Sequence, residues 1–254
     1  MKNLLHNTAG TMLGLILAIL PMTDLRAAEL KMLAGGSMAG LLNELAPQFE
    51  RASGHKLVIH FDSSPNLIKQ AASGAPFDLG LVPNDVMKDP MARARFAAGP
   101  TTDVARVGYG VAVRAGTPKP DISTTAALKK TLLDAQSITF IPASAAGAYI
   151  LSVFERLGIA EAMKAKTRPQ TLPAQIPQAV ANGEAELGIF VVSVLTAPGV
   201  ELAGSFPSDL QQELVFTAAV AADTKEAEAA KAFIAYLTTP AASAAIKAKG
   251  MSPG

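Results

Sequence analysis

Four short turns of this chain carry residue types that donate hydrogen bonds without carrying charge: Ser37; Ser63 with Ser64; Ser144 with Ala145, Ala146 and Gly147; and Gln175 with Ile176. Each sits where a hydrophobic run that reads as a strand gives way to a helical pattern. The first turn of a helix leaves backbone N–H groups unpaired and carries a partial positive charge. Hydroxyls and amides gathered at such turns therefore suit a small anion. Donor-only coordination favours an anion that is fully ionised over one that must itself donate a proton. The competing reading makes each serine an ordinary N-cap, worth about 1 kcal/mol to its helix.

The elements that carry these turns occur twice. N-L-I-K-Q-A-A-S-G-A-P-F-D-L-G-L-V at 66–82 matches Q-I-P-Q-A-V-A-N-G-E-A-E-L-G-I-F-V at 175–191 in pattern: an amide residue, an amphipathic helix, a glycine (Gly74, Gly183), a carboxylate (Asp78, Glu186) and a buried strand. Upstream of each lies a strand, a serine with a glycine three residues on (Ser37 and Gly40; Ser144 and Gly147), and a helix containing F-E-R. A period near one hundred residues is too long for a solenoid, whose units run to about 20 to 50 residues. Strands alternating with helices point to an α/β fold with parallel βαβ units. Two such lobes imply a cleft between them, and ligands of open α/β sheets sit at the carboxyl ends of the strands.

The predicted first lobe contains strands at 30–34, 56–61 and 77–82 and helices at 38–52 and 66–73, with little periodicity over 83–104. Residues 106–114, R-V-G-Y-G-V-A-V-R, read as one long strand crossing between lobes, and residues 121–135 as a helix capped by Ser123. Second-lobe strands are expected at 138–141, near Thr171 and at 187–192, with a loop after them and a further strand at 200–204. Residues 214–221 read as the return crossing, and helices at 225–237 and after Pro240 pack back on the first lobe. The expected division is a leader at 1–28, lobe 1 at 29–104 and 216–254, and an inserted lobe 2 at 105–215.

Lys2, an apolar run from Thr8 to Met22 and L-R-A-A at 25–28 have the form of a cleaved secretory signal peptide. The run is shorter than the roughly 20 residues of a membrane span and is interrupted by Gly10, Gly14 and Pro21. With no cysteine in the chain, both a lipid anchor at a mature N-terminus and disulfides are excluded. A soluble periplasmic protein without a membrane anchor, acting as a monomer, is expected. Formal net charge is +1 and falls to about zero without the leader, so the basic stripe of a nucleic-acid binder is missing.

The run S-M-A-G-L-L-N-E-L-A-P-Q-F-E-R-A-S-G, followed by F-D-S-S-P-N-L-I-K-Q-A-A-S-G-A-P-F-D-L, resembles the periplasmic molybdate-binding proteins of ABC importers. The resemblance spans nearly all of the mature chain. It implies a two-lobed type II periplasmic binding fold, each lobe a mostly parallel sheet flanked by helices, with two crossing strands as hinge. It also implies a molybdate- or tungstate-like oxyanion as ligand and a membrane permease as partner. Carried over by position, the oxyanion donors would be Ser37, Ser63 and Ser64, with the backbone of Ala146, beside Gly147, and of Ile176. The family's tyrosine donor falls at Val191, which has no hydroxyl. Ser193 and Tyr149 are the nearby hydroxyls that could stand in. The same departure opens the alternative of a small organic carboxylate, for which Asn66 and Arg106 are the extra polar candidates beside Ser144 and Gln175; a periplasmic sensor module is a further alternative.

Catalysis and cofactors are not expected. G-G-S-M-A at 35–39 lacks the last glycine of a hydrolase nucleophile elbow, and His55 and His60 follow the serine without the order of that triad. His55, His60 and Asp62 lack a metal-binding motif, so any metal would arrive at the centre of the oxyanion itself.

Overall fold

The computed structural model describes residues 27–254, so the expected leader lies almost wholly outside the described residues. None of the described helices is long and apolar enough to cross a membrane.

The chain begins with β1 (Glu29–Gly35), a 3-10 turn (Gly36–Met38) and α1 (Ala39–Ser53). Leu41, Leu42, Leu45 and Phe49 recur at helical spacing on α1 and are all buried, which is why the segment is a helix with one committed face. β2 (Lys56–Asp62), α2 (Ser64–Ala72) and β3 (Leu79–Pro83) complete the first unit. The segment without clear periodicity holds two short helices, α3 (Asn84–Lys88) and α4 (Pro90–Arg93), and leads into β4 (Thr102–Val107).

The second unit comprises β5 (Tyr109–Arg114), α5 (Thr125–Asp134), β6 (Ile138–Phe140) and α6 (Ala145–Arg156). It continues through α7 (Ala160–Lys166), β7 (Thr167–Pro169), α8 (Gln175–Ala181), β8 (Leu187–Val191), α9 (Val192–Leu195) and β9 (Val200–Ser205). β10 (Leu214–Val220), α10 (Ala227–Leu237), α11 (Pro240–Ala248) and β11 (Ser252–Pro253) close the chain.

Two sheets result, one of six strands in the order β11-β4-β10-β3-β1-β2 and one of five in the order β7-β6-β8-β5-β9. The parallel character expected of each lobe is confined to a trio: β2, β1 and β3 in the first, β7, β6 and β8 in the second. The strands that enter or leave a lobe, β10 and β4 in the first and β5 and β9 in the second, add antiparallel. Of these, β10 and β5 arrive from the other lobe rather than through a crossover helix, so nothing obliges them to run with the trio, and β4 and β9, paired antiparallel to them, run with it again.

The matched turns after α2 and α8 are real structural equivalents. Gly74 and Gly183 both take positive φ, 82° and 78°, a region open to glycine at little cost. The matched carboxylates do the same work: Asp78 accepts from the Lys31 amide of β1 at 2.7 Å, and Glu186 from the Gln136 amide just before β6 at 2.8 Å. Each ties the start of the third strand of its trio to the start of the central one.

Three local expectations are corrected. Residues 106–114 are not one strand: β4 pairs in the six-stranded sheet and β5 in the five-stranded sheet, with Gly108 between them. The return crossing is residues 206–213, since β10 lies wholly in the six-stranded sheet. Gln211 joins the two crossings, accepting from the Tyr109 amide at 2.8 Å and donating to its carbonyl at 3.0 Å. The cap of α5 is Thr124, whose hydroxyl accepts from Ala127 N–H, while Ser123 bonds Asp121.

Both sides of the first sheet are covered. Phe49 of α1 meets Phe233 of α10 edge-on at 4.9 Å on one side. On the other, Leu67 and Ala71 of α2 pack with Leu33, Phe77 and Phe96. In the second lobe Phe140 of β6 meets Phe154 of α6 at 5.8 Å, nearly perpendicular.

Candidate functional site

All four strand-to-helix turns open on one cavity of about 210 Å³ between the two sheets. From the first lobe come Gly35, Gly36 and Ser37 after β1, and Asp62, Ser63 and Ser64 after β2. From the second come Ser144, Ala145 and Ala146 at the start of α6, and residues 171–174 ahead of α8. The structure thus brings together Ser37, Ser63, Ser64, Ser144 and Ala146. The same lining carries apolar groups: Phe61, Phe190, Phe216, Leu172, Leu214 and Ile141. Among the described residues, Asp62 is the one charged side chain on the lining.

The hydroxyls of the first lobe are free. Neither Ser37 Oγ nor Ser63 Oγ makes a hydrogen bond among the described residues, and the Ser63 hydroxyl does not cap α2. Ser64 is 2 % exposed and its Oγ is buried without a partner among the described residues. Leaving such a group unpaired costs about 1 to 3 kcal/mol. The Asp62 carboxylate organises this turn from behind, accepting from Ser63 N–H and from Asn66 Nδ2, both at 2.7 Å. Asn66 is therefore a support for Asp62, outside the cavity lining.

The second lobe spends its polar groups on itself. Ser144 is the N-cap of α6, accepting from Gly147 N–H at 2.9 Å and donating to the Ile141 carbonyl at 2.9 Å. Gly147 lies off the cavity, and its residue type is set by packing: a Cβ there would fall 1.9 Å from the Ile141 carbonyl oxygen. The free donors of this turn are the amides of Ala145 and Ala146, which have no partner among the described residues. Gln175 Oε1 accepts from the amides of Thr171 and Leu172 at 3.0 and 2.9 Å, holding the turn in shape. The Ile176 amide donates to Pro173 carbonyl at 3.1 Å, and its side chain is fully buried.

The remaining sequence candidates lie elsewhere. Tyr149 donates its hydroxyl to the Leu210 carbonyl at 2.6 Å and packs on Tyr109, so it does not reach the cavity. Val191 is buried at the end of β8 opposite Tyr109. Ser193 is off the lining, its Oγ buried and unpaired among the described residues. Arg106 pairs with Asp103 at 2.9 Å on β4. Of the histidines, His55 Nδ1 accepts from Ala28 N–H at 3.1 Å, and His60 Nε2 stands 3.5 Å from Asp62 Oδ2 on the exposed edge strand β2.

Two titratable groups near the cleft are perturbed. Burial pushes the Asp85 carboxyl above its ordinary range, with the nearby Ser64 hydroxyl, the Val86 amide and Lys88 pulling the other way; Ser64 Oγ itself stays short of a hydrogen bond. Burial likewise raises the Tyr109 hydroxyl, and the charges of Tyr149 and Asp85 add to it. Asp85 is a residue that sequence reasoning missed, because it lies on a five-residue helix with no periodic signal. The aromatic wall was missed for another reason: Phe61, Phe190 and Phe216 come from three strands of two sheets, and nothing local marks them as neighbours.

Residues 30–252 match the family model described as bacterial extracellular solute-binding protein. The chain belongs to that family. Among curated relatives of this solute-binding protein, aconitate isomerase of Pseudomonas sp. is 34% identical over 92% of the chain and 93% of the relative. The molybdate-binding protein ModA of Azotobacter vinelandii is 30% identical over 89% of the chain and 90% of its own length. The solved periplasmic molybdate-binding protein of that organism superposes with a TM-score of 0.73 at 24% identity, over 87% of the chain and 98% of the structure. The solute-binding protein thus has the two-lobed type II periplasmic binding fold and is related to molybdate binders. The expectation of binding without turnover stands beside a relative that bears an isomerase's name.

Proposed function

We propose that this protein is a periplasmic solute-binding protein whose ligand is a small organic anion with more than one carboxylate. The observation that carries this reading is the uneven lining of the cavity. A tetrahedral oxyanion presents oxygen in every direction and is matched by donors on all sides. Here the donors come in two groups, the serines of lobe 1 and the first amides of α6, and they share the lining with the apolar Phe61, Phe190, Phe216 and Leu172. A polycarboxylate would place one carboxylate on Ser37, Ser63 and Ser64, another at Ala145 and Ala146, and its hydrocarbon body against the aromatic wall. Val191 in place of a tyrosine hydroxyl, and a Tyr149 hydroxyl already engaged, support the same choice.

Ligand contacts from both lobes would favour a closed state in proportion to their differential affinity for it. Closure would hinge at Gly108 and across residues 206–213, where the chain passes between the sheets. The closed monomer would then deliver its ligand to an ABC permease. The test is thermal stabilisation by trans-aconitate, cis-aconitate, citrate, molybdate, tungstate and sulfate; a ligand at 100 times its Kd adds about 2.7 kcal/mol. Stabilisation by the carboxylates supports the reading. Stabilisation by molybdate and tungstate alone would replace it with the oxyanion function that the ModA relative's name describes.

A further inference from the structure

Beside the cavity, in the first turn of α3, lies a carboxylate that belongs to none of the anion-binding turns. Asp85 is the second residue of α3, just after β3 ends at Pro83 on the cavity lining. It lies in a recess with Pro65, Ile68 and Lys69 of the α2 region and Ser144, Ala145 and Ala148 of α6. Ser144 and Ala145 also wall the main cavity, so the recess adjoins it. Asp85 Oδ1 and Ser64 Oγ are neighbours, both buried, and neither has a hydrogen-bond partner among the described residues. An acid placed among apolar groups, beside an unpaired hydroxyl on the lining, is poised for a partner that arrives with the ligand.

We propose that Asp85 is a proton-transfer group for the bound anion, so that the cleft interconverts isomers of an unsaturated polycarboxylate. This rests on the organic-anion reading above. In the step, a C–H bond between a carboxylate and a carbon–carbon double bond breaks and its proton moves to Asp85 Oδ1. The electron pair spreads over the three-carbon unit and its carboxylates, and Ser64 donates to one of those carboxylates. The proton then returns to either end of the unit, leaving the double bond in its first place or shifted. Every atom and electron is retained and no co-reactant is needed. Burial keeps Asp85 a stronger base than an exposed aspartate, as this transfer requires. The other titratable groups facing it are Lys88 on its own helix, Lys69 of α2 and Tyr109 of β5.

The experiment follows the mature protein with cis- or trans-aconitate in D2O by proton NMR, with thermal stabilisation measured on the same samples. The expected result is deuterium at the carbon-bound positions together with interconversion of the isomers, at a rate that rises with pH through the titration of Asp85. Asp85→Asn should slow both at least a hundredfold and remove that pH dependence while the anion still stabilises the variant. Ser64→Ala gives an independent check, raising KM more than it lowers kcat. Stabilisation by aconitate without deuterium exchange, or exchange that persists in Asp85→Asn, would overturn the proposal and leave the binding function standing. If no carboxylate stabilises the protein, the organic-anion reading fails and the proposal falls with it.

Discussion

The two Ser-x-x-Gly turns share a pattern and differ in what their atoms do. In the first, Ser37 keeps its hydroxyl free at the cavity, and a Cβ on Gly40 would meet nothing within 4 Å. In the second, Ser144 caps α6 and Gly147 is pressed against the Ile141 carbonyl. The same contrast runs through the other pair of turns. Ser64 is buried without a partner among the described residues, whereas the Gln175 side-chain oxygen is taken up by the amides of residues 171 and 172. The turns share a sequence pattern, while the side-chain donors left free for a ligand are concentrated in lobe 1 and lobe 2 offers backbone amides.

The contrast is most exposed at the glycines. Gly147→Ala forces a methyl into a carbonyl oxygen and should cost about 3 kcal/mol or more of stability. Gly40→Ala, at the matched position, should instead stabilise by roughly 0.5 to 1 kcal/mol. Chemical denaturation of both variants checks the pair, and similar losses in the two would erase the distinction between the turns.

Next come the serines. Each hydrogen bond to a charged ligand is worth about 1.5 to 3 kcal/mol, so Ser37→Ala with Ser64→Ala should weaken binding on the order of a hundredfold or more. Ser144→Ala should act on stability, losing a cap worth about 1 kcal/mol. Calorimetric titration and melting of the same variants separate the two effects. Tyr149→Phe should likewise lose about 1 kcal/mol of stability, through the Leu210 carbonyl, with affinity unchanged.

The smallest effect is on pH dependence. Because Asp85 is raised in the folded state, the native protein holds its proton where the unfolded chain has released it. Stability is therefore present below the ordinary carboxylate range and is lost as pH rises toward the raised value. Melting curves across mildly acidic pH should show that fall, and Asp85→Asn should flatten it and melt higher near neutrality.

Much of the architecture is legible in the sequence because local physics repeats. Gly74 and Gly183 mark the same left-handed turn, and Asp78 and Glu186 tie the same strands. The four anion-type turns are readable because strand and helix patterns meet at each. The break at Gly108 is hidden, since β-formers run on both sides of it and only the choice of sheet separates β4 from β5. Whether a serine is free or capping is hidden because it turns on local backbone shape: Ser144 reaches the Ile141 carbonyl and the Gly147 amide as the N-cap of α6, whereas Ser37 lies inside a 3-10 turn. Asp85 becomes visible only when its burial is known.

The measurement that bears most directly on the central claim is calorimetric titration of the mature protein with trans-aconitate and with molybdate, run beside the Ser37→Ala, Ser64→Ala double variant. Saturable binding of the carboxylate, lost in the variant, with no heat from molybdate, is the predicted result. Tight molybdate binding with none of the carboxylate would contradict it.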